Sequence, residues 1–121
     1  MVWEFREGVP IYQQIVPGMQ IRIANGTYSP GETVPAVREL ALQAGVHPNT
    51  MQRALAERER DGYLRSERTS GRYVTVDQER LASLRKELGD MFIKEMVEKM
   101  RELGMDHSQI VEAVTAWKES K

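Results

Sequence analysis

The stretch VPAVRELALQAGVHPNTMQRALAERERDGYL, residues 34–64, decides the fold. Val34-Pro35 leads into a helix over 36–44, Gly45 ends it, and a second helix starts near Pro48 with His47 or its neighbour at the cap. That helix runs to Asp61-Gly62. Two short helices joined by three residues must cross steeply over a small shared core. Such a crossing needs a small residue at the close approach, a glycine at the turn and apolar inward faces. Ala41 and Gly45 supply the first two; Leu40, Ala44, Val46, Met51, Ala54 and Leu55 supply the third. The combination is a helix-turn-helix signature.

Met51, Ala54, Leu55 and the stem of Arg58 mark the inward side of the later helix. At about 100° per residue, Asn49, Arg53 and Arg60 fall opposite, with Gln52 flanking. A recognition helix presents its N-terminal turn to the major groove of double-stranded DNA. Asn and Gln can pair bidentately with adenine, and Arg with guanine. His47, Asn49, Thr50, Gln52 and Arg53 are therefore candidate DNA contacts. The competing view leaves Asn49 and Thr50 as caps and Gln52 and Arg53 as solvated polar residues; the helix-turn-helix setting favours contact.

Upstream, Val2 to Phe5 is an apolar arm or short strand. Pro10 opens a helix at its first position, and Ile11, Ile15, Met19 and Ile23 recur every four residues until Asn25-Gly26. Pro17-Gly18 interrupts this pattern without shifting its phase, which predicts one kinked helix rather than two. Ser29-Pro30-Gly31 is a turn. Downstream, Tyr63-Leu64 and Tyr73 to Val76 flank the turn signal Ser70-Gly71 and read as a two-stranded hairpin, or wing. From Asp77 a helical stripe returns through Leu81, Leu84, Leu88, Phe92, Met96, Met100 and Leu103. Gly89 is a potential bend and Gly104 a stop. Asp106 and Gln109 form a capping pair for a last helix bearing Ile110, Val111, Val114 and Trp117. The fold class is thus mainly α with a small β-hairpin: a winged helix-turn-helix over residues 1–76 and a two-helix tail over 77–121.

Charge is split along the chain. Residues 1–76 carry nine arginines, no lysine and eight acids, a net +1; residues 77–121 carry three arginines, five lysines and ten acids, a net −2. Arginine suits bidentate contacts to phosphate and guanine. The absence of cysteine excludes disulfides and thiolate chemistry. No nucleophile–base pair or phosphate-cradling glycine loop is present, so an enzyme is not expected, nor is a cofactor. His47 and His107 lie on different segments, and no metal site is expected. No apolar run approaches the ~18 residues of a membrane span, and no leader is visible, so a cytoplasmic protein without membrane contact is expected.

Several ordered motifs over residues 10–76 resemble the DNA-binding domain of the GntR family of regulators. They are P-I-Y-Q-Q-I at 10–15, S-P-G at 29–31, V-P-A-V-R-E-L-A at 34–41 and G-V-H-P-N-T at 45–50. The resemblance implies that Arg38, the arginine of P-x-x-R-E-L, contacts DNA; a surface pair with Glu39 is the plainer alternative. It also aligns His47, Asn49, Thr50, Gln52 and Arg53 with the start of the family's recognition helix. The wing departs from the pattern. Thr69-Ser70-Gly71-Arg72-Tyr73 keeps only Gly71 of the usual G-x-G, which leaves Arg68 and Arg72, flanking the turn, as its candidates for phosphate or minor-groove contact.

The tail, above all L-G-M-D-H-S-Q-I-V-E-A-V at 103–114, resembles the YtrA-type subfamily of that family. The resemblance implies a homodimer held by the tail and control of an ABC-transporter operon. A helix pair this short has little of its own chain to cover the stripe from Leu81 to Leu103 with Ile110, Val114 and Trp117, so a partner copy would bury it. Met91, Met96, Met100 and Met105 cluster there too. They suit such packing better than an adaptable pocket for an unknown apolar small-molecule effector. The function expected is a sequence-specific DNA-binding transcriptional regulator, a repressor acting on a two-fold symmetric operator. The rival is a winged-helix protein-interaction module that does not read DNA, favoured by the near-balanced charge of residues 1–76 and the altered wing.

Overall fold

A computed structural model describes residues 3–67 and 71–118. The order is α1 (Ile11–Ala24), α2 (Val37–Ala44), α3 (Pro48–Arg60), β1 (Leu64–Glu67), β2 (Gly71–Val74), α4 (Gln78–Glu102) and α5 (His107–Ala116). The chain forms two compact units, Met1–Arg85 and Lys86–Lys121. No helix among the described residues is long and apolar enough to cross a membrane.

In the first unit α1 and α2 both pack on α3. Ile15, Met19, Leu40, Met51 and Leu55 meet there with no solvent exposure. The turn after α2 follows its residue types: Gly45 adopts φ 70°, and the Val46 N–H bonds the Ala41 carbonyl at 2.9 Å. This left-handed step costs a side-chain-bearing residue about 1–2 kcal/mol and glycine almost nothing.

Helix α1 runs unbroken through Pro17, as the continuing phase of its apolar residues predicts. Pro10 is not its first residue, however: with ψ 136° it is the extended residue before it. The pair Pro17-Gly18 has a tertiary reason. Trp3 lies over Gly18, where a Cβ would stand 2.6 Å from the Trp3 ring, and the Arg22 guanidinium stacks 3.6 Å from that ring's centroid. The segment from Trp3 to Arg6 is an arm, not a strand. Gln14 clasps it, accepting from the Arg6 N–H at 2.6 Å and donating to the Val9 carbonyl at 2.9 Å.

The strands are antiparallel, with Leu64 opposite Val74 and Ser66 opposite Arg72. Relative to expectation the hairpin is shifted: Tyr63, Thr75 and Val76 lie outside the strands, because pairing extends toward the turn. A third segment joins β2 on its other edge. Gly31 N–H bonds the Val74 carbonyl, Val74 N–H the Glu32 carbonyl and Val34 N–H the Arg72 carbonyl, each at 2.9 Å. These bonds satisfy the outer edge of β2 and fix the lead into α2.

Helix α4 begins in the first unit. Arg80 donates to the Asp61 carbonyl at 2.8 Å and Arg85 to the Ala24 carbonyl at 3.1 Å. Both cations thereby sit at the C-terminal ends of α3 and α1, where the helix dipole favours positive charge. Further along, α4 passes through Gly89 and stops at Gly104, φ 85°. Asp106 and Gln109 form the expected reciprocal capping box on α5, both bonds at 2.9 Å. The long stripe divides: Leu81, Leu84, Leu88 and Ile110 are buried, whereas Phe92, Met96, Leu103, Val114 and Trp117 are exposed and Met100 is half-buried.

Candidate nucleic-acid interface

Helix α3 turns one side to the core and the other to solvent. Met51, Ala54, Leu55 and Arg58 are buried; Asn49, Gln52, Arg53 and Arg60 are exposed. His47 caps the helix, its Nδ1 accepting from the Asn49 N–H at 3.0 Å. The capping role that the plainer view gave to Asn49 and Thr50 thus falls to His47. Asn49 is left exposed and Thr50 half-buried at the helix start. The first-turn N–H groups of a helix of this length favour an anion such as a DNA phosphate. Arg38 is exposed in the first turn of α2 and has no hydrogen-bond or ion-pair partner among the described residues.

Arg53 is exposed yet oriented. Its guanidinium carbon stands 4.1 Å from the centroid of the Tyr12 ring of α1. The Tyr12 hydroxyl in turn donates to the Glu57 carboxylate, one turn further along α3. That hydrogen bond, then burial, raises the Tyr12 phenol above its ordinary value, and the Arg53 charge opposes the shift. Neither Tyr12 nor Glu57 was singled out from sequence. The signal was present in the spacing: Arg53 and Glu57 are four residues apart and share a helix face.

The wing distributes its cations by strand alternation. Val74 is buried, so Arg72, two residues earlier, points to the same inner side. There it pairs with Glu59 of α3, which also accepts the Ser66 hydroxyl at 2.7 Å. Burial alone pushes the Glu59 carboxyl up, but the hydrogen bonds from Ser66 and Arg72 outweigh it and hold the group below its ordinary value. Arg72 therefore has a partner inside the protein. Gly71 starts β2 at φ 82° and is exposed; Arg68 lies outside the described residues. On the outer side, Arg65 faces Tyr73, 6.0 Å from its ring centroid, an exposed wing cation that the motif comparison overlooked.

A helix-turn-helix with an exposed polar recognition face and an attached hairpin defines a class, the winged-helix DNA-binding regulators. The profile of the family described as "Bacterial regulatory proteins, gntR family" matches residues 11–74. Along nearly its whole length the chain is similar to the uncharacterized HTH-type transcriptional regulator YhcF of Bacillus subtilis (strain 168): 32% identity over 116 residues, 96% of each chain. It is 39% identical over 70 residues to the HTH-type transcriptional repressor YtrA of the same organism, covering 58% of this chain and 54% of that one. Among solved structures, a GntR family transcriptional regulator from Listeria monocytogenes superposes with a TM-score of 0.83 at 33% identity, covering 94% of this chain and all of that one. The DNA-binding domain of AraR, solved in complex with operator ORX1, is 26% identical with a TM-score of 0.55, covering 62% of this chain and 99% of that one. The chain belongs to the GntR family. It is a DNA-binding transcriptional regulator, not an enzyme, and the expected likeness to YtrA rests on the 70-residue match.

Proposed function

We propose that the chain acts in the cytoplasm as a homodimeric repressor: its first 76 residues read a two-fold symmetric operator and residues 77–121 hold the dimer. The observation that carries the DNA-reading half is the exposed polar start of α3, together with an exposed Arg38 that has no hydrogen-bond or ion-pair partner among the described residues. Asn49, Gln52 and Arg53 face base edges in the major groove. His47, Thr50 and Arg38 serve the phosphates around them, as does the N-terminus of α3. In the wing, Gly71 allows close approach to the backbone. Arg68 and the outward Arg65 supply charge there, while Arg72 braces the wing from within.

Operator binding is supported by the AraR domain's complexes, and repression by the name of the relative YtrA. The YtrA likeness also supports control of an ABC-transporter operon. Dimerisation through the tail is supported by the exposed apolar side chains of α4 and α5, above all Phe92 and Trp117. Met96, Met100, Ala113, Val114 and Trp117 line a groove of about 380 Å³ that a second copy would cover, in preference to an effector.

Footprinting of the full chain on the intergenic DNA upstream of its own gene tests this function. A protected, two-fold symmetric site is expected, with affinity falling steeply as salt rises because bound counterions are released. Protection without symmetry would remove the dimer, and no protection at low salt would remove the reader.

A further inference from the structure

Arg53 and Glu57 stand four residues apart on α3, a spacing that draws opposite charges together along a helix face. An arginine lying along that carboxylate would arrive at DNA already neutralised. The structure shows a different arrangement: Arg53 makes no ion pair among the described residues, and Glu57 receives the Tyr12 hydroxyl on one oxygen while its other lies 3.9 Å from the Arg58 guanidinium. One side chain of α1 thus occupies both, its ring under the guanidinium and its oxygen on the carboxylate. A guanidinium stacked over a ring keeps its planar N–H edge available, and a fork held in advance loses less freedom on binding.

We propose that Tyr12 is a specificity-determining positioning residue for DNA recognition, which diverts Glu57 from Arg53 and presents the Arg53 guanidinium as a free, oriented fork to a guanine edge. This rests on the assignment of Arg53 as a base contact made above. Without the hydroxyl, Glu57 competes for Arg53; without the ring as well, the fork is also unsupported.

The experiment uses the full chain and the duplex most enriched by it from a randomised library, together with copies of that duplex substituted at each guanine. Arg53→Ala is expected to weaken binding by about ten- to a hundredfold and to flatten the preference at one base pair, the span of a lost bidentate contact. Tyr12→Phe, which keeps the ring, should weaken binding by roughly three- to tenfold, with the preference reduced at that same base pair. Adding Glu57→Gln to Tyr12→Phe should restore both affinity and preference, and adding Tyr12→Phe to Arg53→Ala should change nothing further. Tyr12→Leu should exceed Tyr12→Phe, with thermal melts confirming that each variant is folded.

If Arg53→Ala leaves affinity and preference intact, the base-contact assignment fails and the proposal falls with it. If Arg53→Ala acts as expected but Tyr12→Phe is silent, adds fully to Arg53→Ala or is not rescued by Glu57→Gln, the positioning role alone is overturned. A loss spread evenly over all base pairs overturns it too, since a merely structural Tyr12 would act that way.

Discussion

The two units treat apolar residues in opposite ways. Between α1, α2 and α3, Ile15, Met19, Leu40, Met51 and Leu55 are wholly removed from water. In the second unit Phe92 is 50% exposed, Leu103 77% and Trp117 72%, and buried Ile110 is the exception on α5. Two helices packed on a third can enclose a volume; one long helix and one short one have less of their own chain to do so. The first unit thus has a core of its own, while the second leaves large apolar side chains open, the surface on which the proposed dimer rests. Exposed apolar area of this kind marks an interaction site more often than it marks loose packing.

The largest break in that contrast comes from the enclosed side. Leu55→Ala should cost about 2–5 kcal/mol of unfolding free energy in denaturant titration, since Leu55 is wholly buried where α1 and α2 pack on α3 and its loss leaves a cavity. Next is Gly18→Ala, expected to cost about 1–3 kcal/mol because its Cβ must displace the Trp3 ring. In a Trp117→Phe background the Trp3 fluorescence should shift red as the ring leaves Arg22.

Smaller again is Glu59→Gln, at about 1 kcal/mol near neutral pH for a half-buried charged hydrogen bond. The folded Glu59 carboxyl titrates below its ordinary value of about 4.3, so its stabilisation is present above that pH and lost as pH falls through the folded value. Stability curves of variant and parent should therefore converge on acidification. The smallest intrinsic effect belongs to the open side. Phe92→Ser should leave the stability of the dilute monomer within about 0.5 kcal/mol of the parent. Sedimentation across a dilution series should nonetheless show weaker self-association by at least about tenfold, the scale of one exposed aromatic anchor. Unchanged association would take the dimer contact away from this face of α4.

Legibility differed between the same two regions for a related reason. The helix-turn-helix was readable because its constraints are local: a small residue at the crossing, a glycine in the left-handed region, apolar residues at helical spacing. On the tail, one unbroken stripe from Leu81 to Leu103 gave no sign of where burial would end, because helical spacing is the same for a covered and an open face. The strand pairing of Gly31–Val34 with β2 was missed because it depends on a partner some forty residues away. Arg72 was predictable in principle, as it shares a strand face with Val74, but the family pattern drew attention to its nearness to the turn instead.

By itself the sequence determined the order of elements, the turn at Gly45, the cap before Pro48, the continuity of α1 through Pro17 and the kinship of residues 11–74. Each follows from interactions within a few residues or from motifs read in order. Only the tertiary structure decided which charges are free. Arg22 is buried under Trp3, Arg72 is committed to Glu59, Arg53 is raised on Tyr12, and Arg38 has no partner among the described residues. Identical guanidiniums acquire different roles because the field and the space around each are set by side chains from other elements, which spacing along the chain does not record.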